Sequence, residues 1–213
     1  MPDSARTYLP AAGHDFFLPL YDPIVKLFGG DAARQALVAQ AAIGASDRIL
    51  DLGCGTGTMD VHIKKQFPHV ELVALDPDPK ALARARKKAA RAALTIQFDQ
   101  GFGDQLPYAA ATFDRALSSF MFHHLPTEEK ANTLREVHRV LKPGGEFHLA
   151  DFEGPEDRKH GFLGRLLLSH AHLKENSAAN VIALMKAAGF ADAAKVGRSN
   201  KFFGGVGYYR AVK

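Results

Sequence analysis

The chain holds one cysteine, Cys54, so it can close no internal disulfide and build no cysteine metal cluster. Such cysteine poverty suits a reducing compartment, and a cytoplasmic location is the expectation. No apolar run approaches the ~18 uninterrupted residues that a membrane span needs. The start, Met1-Pro2-Asp3-Ser4-Ala5-Arg6, has no basic stretch leading into an apolar one, so it does not read as a secretory signal. Internal repeats and low-complexity linkers are lacking. The 213 residues, 46% hydrophobic and 23% charged, suffice for one domain with a sizeable core.

Excess charge is modest, a net +4, and it is concentrated. Lys80, Arg84, Arg86, Lys87, Lys88 and Arg91 lie in one short segment, and without these six the balance would turn negative. They alternate with alanines over 79–93, which predicts a helix with a solvated basic face. Contact with an acidic surface or lipid headgroups is the alternative. Nucleic acid is disfavoured, because no aromatic side chains interleave to stack on bases.

What is present is a glycine loop. Ile49-Leu50-Asp51-Leu52 reads as a buried strand, and Gly53-Cys54-Gly55-Thr56-Gly57 follows it. Further along, a second apolar run, Leu72-Val73-Ala74-Leu75, ends in Asp76. A strand, a tight glycine turn, a helix and a second strand tipped by an acid form a frame that holds a nucleoside. The glycines let backbone approach the ligand, and the second acid binds ribose hydroxyls. Asp51 lies two residues before the first glycine, where a carboxylate would repel a pyrophosphate but suits an ammonium group. That favours S-adenosylmethionine (SAM) over a nicotinamide dinucleotide.

The rest of the chain supports this frame. Residues 15–43 carry helical apolar spacing, broken at Pro19, Pro23 and Gly29-Gly30. Strands are expected near 47–52, 70–75, 94–98, 114–118 and 145–150, with helices near 57–67, 79–92 and 127–141. This alternation implies a parallel sheet covered on both faces. Pro143-Gly144-Gly145 is expected to stop the third of these helices. Beyond Asp151 come a polar stretch at 153–159, an apolar helix candidate at 161–173 and a helix at 177–188 stopped by Gly189. Strand-like runs near 191–197 and 205–212 suggest an antiparallel edge hairpin.

With these motifs in order, the chain resembles the class I SAM-dependent methyltransferases, in the subgroup that includes the ubiquinone/menaquinone methyltransferases. The resemblance covers about residues 45–152. It rests on Ile49–Gly57, Val73–Pro77, Leu106-Pro107-Tyr108 with Thr112-Phe113-Asp114, Ser118–Leu125, and Val140–Gly145. It implies an α/β, Rossmann-like fold: a seven-stranded, mostly parallel sheet with an antiparallel last strand and helices on both faces. It also implies one domain, with an N-terminal helical lid at 1–44, a SAM-binding core at 45–152, and acceptor-side helices and C-terminal strands at 153–213.

Roles follow from the resemblance. Asp51 and the backbone of Gly53 and Gly55 should hold the methionine portion, within a loop completed by Cys54, Thr56 and Gly57. Asp76 should accept from the ribose hydroxyls, Pro77 should lie against adenine, and Ser119 should sit below the sulfonium. The family often writes Gly-Asp-Ala-x-x-Leu-Pro where this chain has Gly101-Phe102-Gly103-Asp104-Gln105-Leu106-Pro107. Either Phe102 packs on the adenine, with backbone of Gly101 or Phe102 reading its edge, or Asp104 reaches in.

Methyl transfer from a sulfonium needs orientation above all, and a base only for acceptors that must lose a proton. His123 is the candidate base or acceptor-orienting group, with His124 beside the cofactor. Asp151 is a candidate acceptor-contacting acid, and Tyr21 and His14 are candidate lid residues. The plainer reading of both histidines is packing near the cofactor. His170 and His172 are spaced wrongly for one helix face, so no metal site is expected.

The expected reaction is methylation of a small, lipophilic acceptor at O, N, S or C, with S-adenosylhomocysteine (SAH) as product. The alternative is a SAM- or SAH-binding protein without turnover, regulatory or scaffolding. No Asn/Asp-Pro-Pro-Tyr/Phe run follows the fourth strand, which disfavours base methylation of nucleic acids. One cysteine excludes arsenite methylation. Peripheral lipid contact stays open, and the sequence carries no signal for oligomeric state.

Overall fold

The computed structural model describes residues 30–154, 176–199 and 205–213. Helix α1 (Gly30–Gln40) leads into strand β1 (Arg48–Leu52), then α2 (Thr58–Gln66), β2 (Glu71–Asp76), α3 (Pro79–Arg91), β3 (Gln97–Gln100) and β4 (Phe113–Ser119). A single 3₁₀ turn at Phe122–His124 precedes α4 (Thr127–Val140) and β5 (Leu141–Phe152). The chain ends with α5 (Ala178–Ala187), β6 (Ala191–Ser199) and β7 (Val206–Val212). The seven strands form one sheet in the order β3-β2-β1-β4-β5-β7-β6. The neighbours from β3 to β5 pair in parallel, and β7 runs antiparallel to both β5 and β6. This is the Rossmann-like sheet that the sequence implies, with the edge hairpin in place.

Side chains alternate across each strand, so each buried strand feeds two cores. Leu50, Leu52, Val73 and Leu75 pack with α4 and α5 through Leu134, Val137, Val181 and Met185. Ile49, Leu72 and Leu117 pack on the other face with α1 and α2 through Leu37, Val38, Met59 and Ile63. Asp51 shares the face of Ile49, so its carboxylate looks toward α1 and α2.

Helix α3 buries Ala81, Leu82, Ala85 and Ala89 and starts with Pro79 behind an Asp78 cap, whose side chain accepts from Lys80 N–H at 2.8 Å. Its basic residues Lys80, Arg84, Arg86, Lys87 and Arg91 are exposed, as the alternation with alanine predicts.

Two element boundaries differ from expectation. The third strand starts at Gln97 rather than near 94. The α3 exit explains this: Ala93 turns at φ +53° and Leu94 N–H returns to Ala89 O, which draws residues 93–94 into the helix terminus. Second, Pro143-Gly144-Gly145 does not stop the helix. The helix ends at Val140, and Leu141 already pairs with Phe113. The Pro-Gly-Gly run is an irregularity inside β5, and Lys213 closes it: Gly144 N–H donates to Lys213 O, and Lys213 N–H to Gly145 O. The helix expected at 161–173 lies outside the described residues.

Candidate functional site

Strand order reverses between β1 and β4, and the crevice beyond the carboxyl ends of such strands is where open α/β sheets bind ligands. A cavity of about 360 Å³ opens there, within the ~300–1,000 Å³ of ordinary small-molecule sites. The strand tips Leu52, Leu75, Asp76 and Ser119 form part of its wall. The glycine loop, Pro77, residues 101–104, the Phe120–Met121 turn and His124–Pro126 form much of the rest. Arg34 reaches it from α1, and Glu129 and Thr133 from α4.

The loop is folded against β2. Gly53 and Cys54 N–H both donate to Leu75 O, at 2.8 and 3.1 Å. Gly55 N–H donates to Asp76 Oδ2 at 2.8 Å, and Asp78 N–H to Oδ1 at 2.9 Å. Each carboxylate oxygen has two acceptor positions, so Asp76 retains capacity for two donors from the cavity. Burial pushes its pKa up to about 6. The glycines are not equivalent. A Cβ at Gly57, where φ is +74°, would stand 2.8 Å from Ala85 Cβ. A Cβ at Gly55 would meet nothing within 4 Å, which leaves an open face of backbone beside Asp76.

Of the sequence candidates, Gly53, Cys54, Gly55, Thr56, Asp76, Pro77, Gly101, Phe102, Ser119 and His124 line the cavity. Phe102 and Asp104 line it together. Asp51, Gly57, His123 and Asp151 do not. Gly57 braces the loop on α3. Tyr21, His14, His170 and His172 lie outside the described residues.

Asp151 does not line the cavity and is fully buried. Its Oδ1 is 2.5 Å from His123 Nδ1 and accepts from Phe152 N–H, and Oδ2 accepts from His123 N–H at 3.0 Å. Burial works to raise the Asp151 pKa, but the His123 ring and these N–H donors outweigh it and hold the carboxyl below its ordinary range. The His123 ring stacks 3.9 Å from that of His124, and it is His124 that meets the cavity.

Several residues carry no signal in the sequence. Arg34 sits under the cavity with its guanidinium 5.6 Å from the Phe120 ring centroid. Met121 fills the space above Gly53, where a Cβ would come within 2.5 Å of its Cγ. Asp60, in the first turn of α2, reads as an ordinary helix-start acid, yet it is fully buried. Asp60 and Asp51 are hydrogen-bond neighbours, and apart from each other their carboxyl oxygens find no partner among the described residues. Burial drives Asp60 well above the usual carboxylate range and pushes Asp51 up to about 7.

A methyltransferase-domain family model matches residues 49–145. The chain is 36% identical over 137 residues to a demethylmenaquinone methyltransferase of Deinococcus radiodurans, which covers 64% of this chain and 56% of that protein. It is 36% identical over 151 residues to the demethylmenaquinone methyltransferase of Thermus thermophilus, which covers 70% of this chain and 68% of that one. The match thus spans little more than half the length of the first of these relatives. Among solved structures, the SAM-dependent methyltransferase SibL superposes with a TM-score of 0.74 at 21% identity, over 92% of this chain and 58% of that one. That likeness bears on the fold.

Proposed function

The chain belongs to the class I SAM-dependent methyltransferases, and from that premise we propose that it methylates a small, lipophilic acceptor at O, N, S or C. The observation that carries the proposal is the pairing of the Asp76 carboxylate with the open backbone face at Gly55, at the sheet's switch point. An acid with two spare acceptor positions fits a ribose diol, and a backbone face without a Cβ fits close approach by a ligand.

When bound, SAM supplies an electrophilic methyl group on a sulfonium. The remaining work falls to the chain. Asp76 holds the ribose, with charged-acceptor bonds worth roughly 1.5–3 kcal/mol each. Pro77 and Phe102 flank the base, and Asp104, which lines the same cavity, is the acid available for its edge. The Gly53–Thr56 backbone carries the methionine portion, and Arg34 is the cation available for its carboxylate. Ser119 and Phe120 wall the sulfonium end. His124 is the histidine placed to meet the acceptor, with His123 and Asp151 positioning it from behind. Positioning of this kind can contribute up to about 7–11 kcal/mol of the barrier.

Two features support a lipophilic acceptor. The cavity wall includes Leu52, Leu75, Phe102, Phe120, Met121 and Leu125. The relatives carry the name of demethylmenaquinone, a lipophilic compound. The test is incubation with methyl-deuterated SAM and a cell extract, followed by mass spectrometry of organic, aqueous and macromolecular fractions. Label is expected in a small molecule of the organic fraction. Label in the protein or RNA pellet would overturn the acceptor class. Intact SAH binding with no transfer from any extract would favour a binding protein.

A further inference from the structure

The buried pair Asp51–Asp60 has no role in the account above, and it is an unusual object. Two carboxyl groups, each 1% exposed or less, are hydrogen-bond neighbours with no other partner among the described residues, and Asp60 Oδ2 lies 3.4 Å from where a Cβ at Gly57 would stand. Two like charges so close and so dry cannot both ionise cheaply, while one shared proton gives the pair a hydrogen bond. The surroundings settle which way the balance leans. From α1, Arg34 lowers Asp51; from α3, Lys88 lowers Asp60; from β2, the Asp76 charge raises both. Cys54, on the loop itself, is pushed up by burial and stays a neutral thiol. The two cations do not outweigh burial, and both acids end above their ordinary range.

We propose that Asp60 is a positioning residue that shares one proton with Asp51 in the cofactor-free protein, and that the pair gives up this proton when the ammonium of the cofactor's methionine end arrives. The proposal rests on the SAM reading. Its logic is local charge balance: with the ligand's carboxylate held at Arg34, its ammonium at the glycine loop favours two carboxylates over one, so binding and proton release are linked. The empty pair avoids a buried double charge, and the ligand's own charge completes the site. A ligand with the nucleoside but no amino-acid end supplies no cation and should release no proton. The pair therefore discriminates in favour of the complete cofactor, increasingly as pH rises through the range where it titrates.

The test is calorimetric titration of SAH and of 5′-methylthioadenosine, which lacks the amino-acid end, between pH 6.5 and 8.5. Buffers of different ionisation enthalpy report the protons released. Above pH 6.5 Asp76, at about 6, is mostly ionised and contributes little to any change. SAH is expected to release a large fraction of a proton across this range, because Asp60 is driven well above the usual carboxylate range, with affinity rising by at most about tenfold per pH unit. 5′-Methylthioadenosine should show neither effect. In Asp60→Asn the second carboxyl is gone but Asp51 stays buried beside an amide donor, so release on SAH binding should persist near pH 6.5 and vanish by pH 8.5, above the Asp51 value of about 7. Asp60→Ser offers the same readout with a smaller group, and the wild-type proton count needs no variant. SAH binding that is flat with pH and proton-neutral would overturn the proposal and leave the methyltransferase reading intact. Equal release with both ligands would assign the proton to the nucleoside end and overturn it too. Failure to bind SAH at any pH would overturn both.

Discussion

Asp76 serves two masters, the glycine loop and the cavity, and its replacement should reveal both. In Asp76→Asn one amide donor must face either Gly55 N–H or Asp78 N–H, both of which donate to the carboxylate now. SAH affinity should fall about tenfold to a hundredfold, the value of one charged-acceptor bond. In the wild type, affinity for 5′-methylthioadenosine should decline as pH falls through about 6, where Asp76 takes a proton. Constant affinity from pH 8 to 5 would show that this carboxylate does not meet the ligand. The glycines separate differently. Gly57→Ala places a methyl 2.8 Å from Ala85 Cβ in left-handed backbone, and should cost about 1–3 kcal/mol, visible as a lower Tm. Gly55→Ala pays only the backbone penalty of about 1 kcal/mol, because its Cβ points into open space. Its larger effect should be on SAH affinity, measured by titration. All three glycines look alike in the sequence, and only their neighbours distinguish a brace from a ligand face.

Between elements, the join of β4 and β5 matters most. The strands pair in parallel with Ser119 opposite Ala150, so the tip of β5 lies beside the turn that follows β4. That adjacency brings Asp151 to His123 across 28 positions of sequence. Strand periodicity locates Asp151 at a strand end near the site, but the side it faces depends on the neighbour. The expectation of an acceptor-facing acid therefore gives way to a carboxylate that holds His123. Asp151→Asn puts an amide where Nδ1–H and two backbone N–H groups need acceptors. Breaking a buried pair of this kind costs about 3–5 kcal/mol, and urea denaturation should show a loss of that order. An unchanged midpoint would mean that the contact is not formed. The Pro-Gly-Gly run makes a similar point. Its residues look like a helix stop, and they became a strand irregularity because the chain end, Lys213, pairs with Gly144 and Gly145.

At the scale of the molecule, the cofactor-free protein stores opposing titrations. Asp51, Asp60 and Asp76 have folded pKa values raised above their unfolded ones by burial, so the stability they contribute is present at low pH and lost as pH rises, through about 6 for Asp76, about 7 for Asp51 and well above the ordinary carboxylate range for Asp60. Buried His148 is depressed to about 4, so its contribution is full above the ordinary histidine range and lost as pH falls toward 4. Asp114, Glu136, Glu146 and Asp151 are lowered, and their contributions fade below about pH 4. Between about pH 4 and 6 the three raised acids outweigh buried His148, so the thermal stability of the cofactor-free protein should be highest near about pH 4–5 and decline toward pH 7, measurable by scanning calorimetry from about pH 3 to 9. Saturating SAH should move that maximum upward. A cofactor-free maximum at pH 8 or above would mean that the buried acids are not raised.

The sequence by itself determined whatever depends on near neighbours in the chain. Apolar runs marked the strands, the Asp78-Pro79 start and alanine spacing marked α3, and the glycine loop with its two acids marked a nucleoside site. Backbone sterics and side-chain periodicity act over a few residues, and those are printed in order. Tertiary structure alone decided what converges from afar. Two faces of a sheet look alike until helices cover them, so the meeting of Asp51 with Asp60 and Arg34 had no local signature. Burial then decided the charge states, because a carboxylate's cost depends on the water that packing removes.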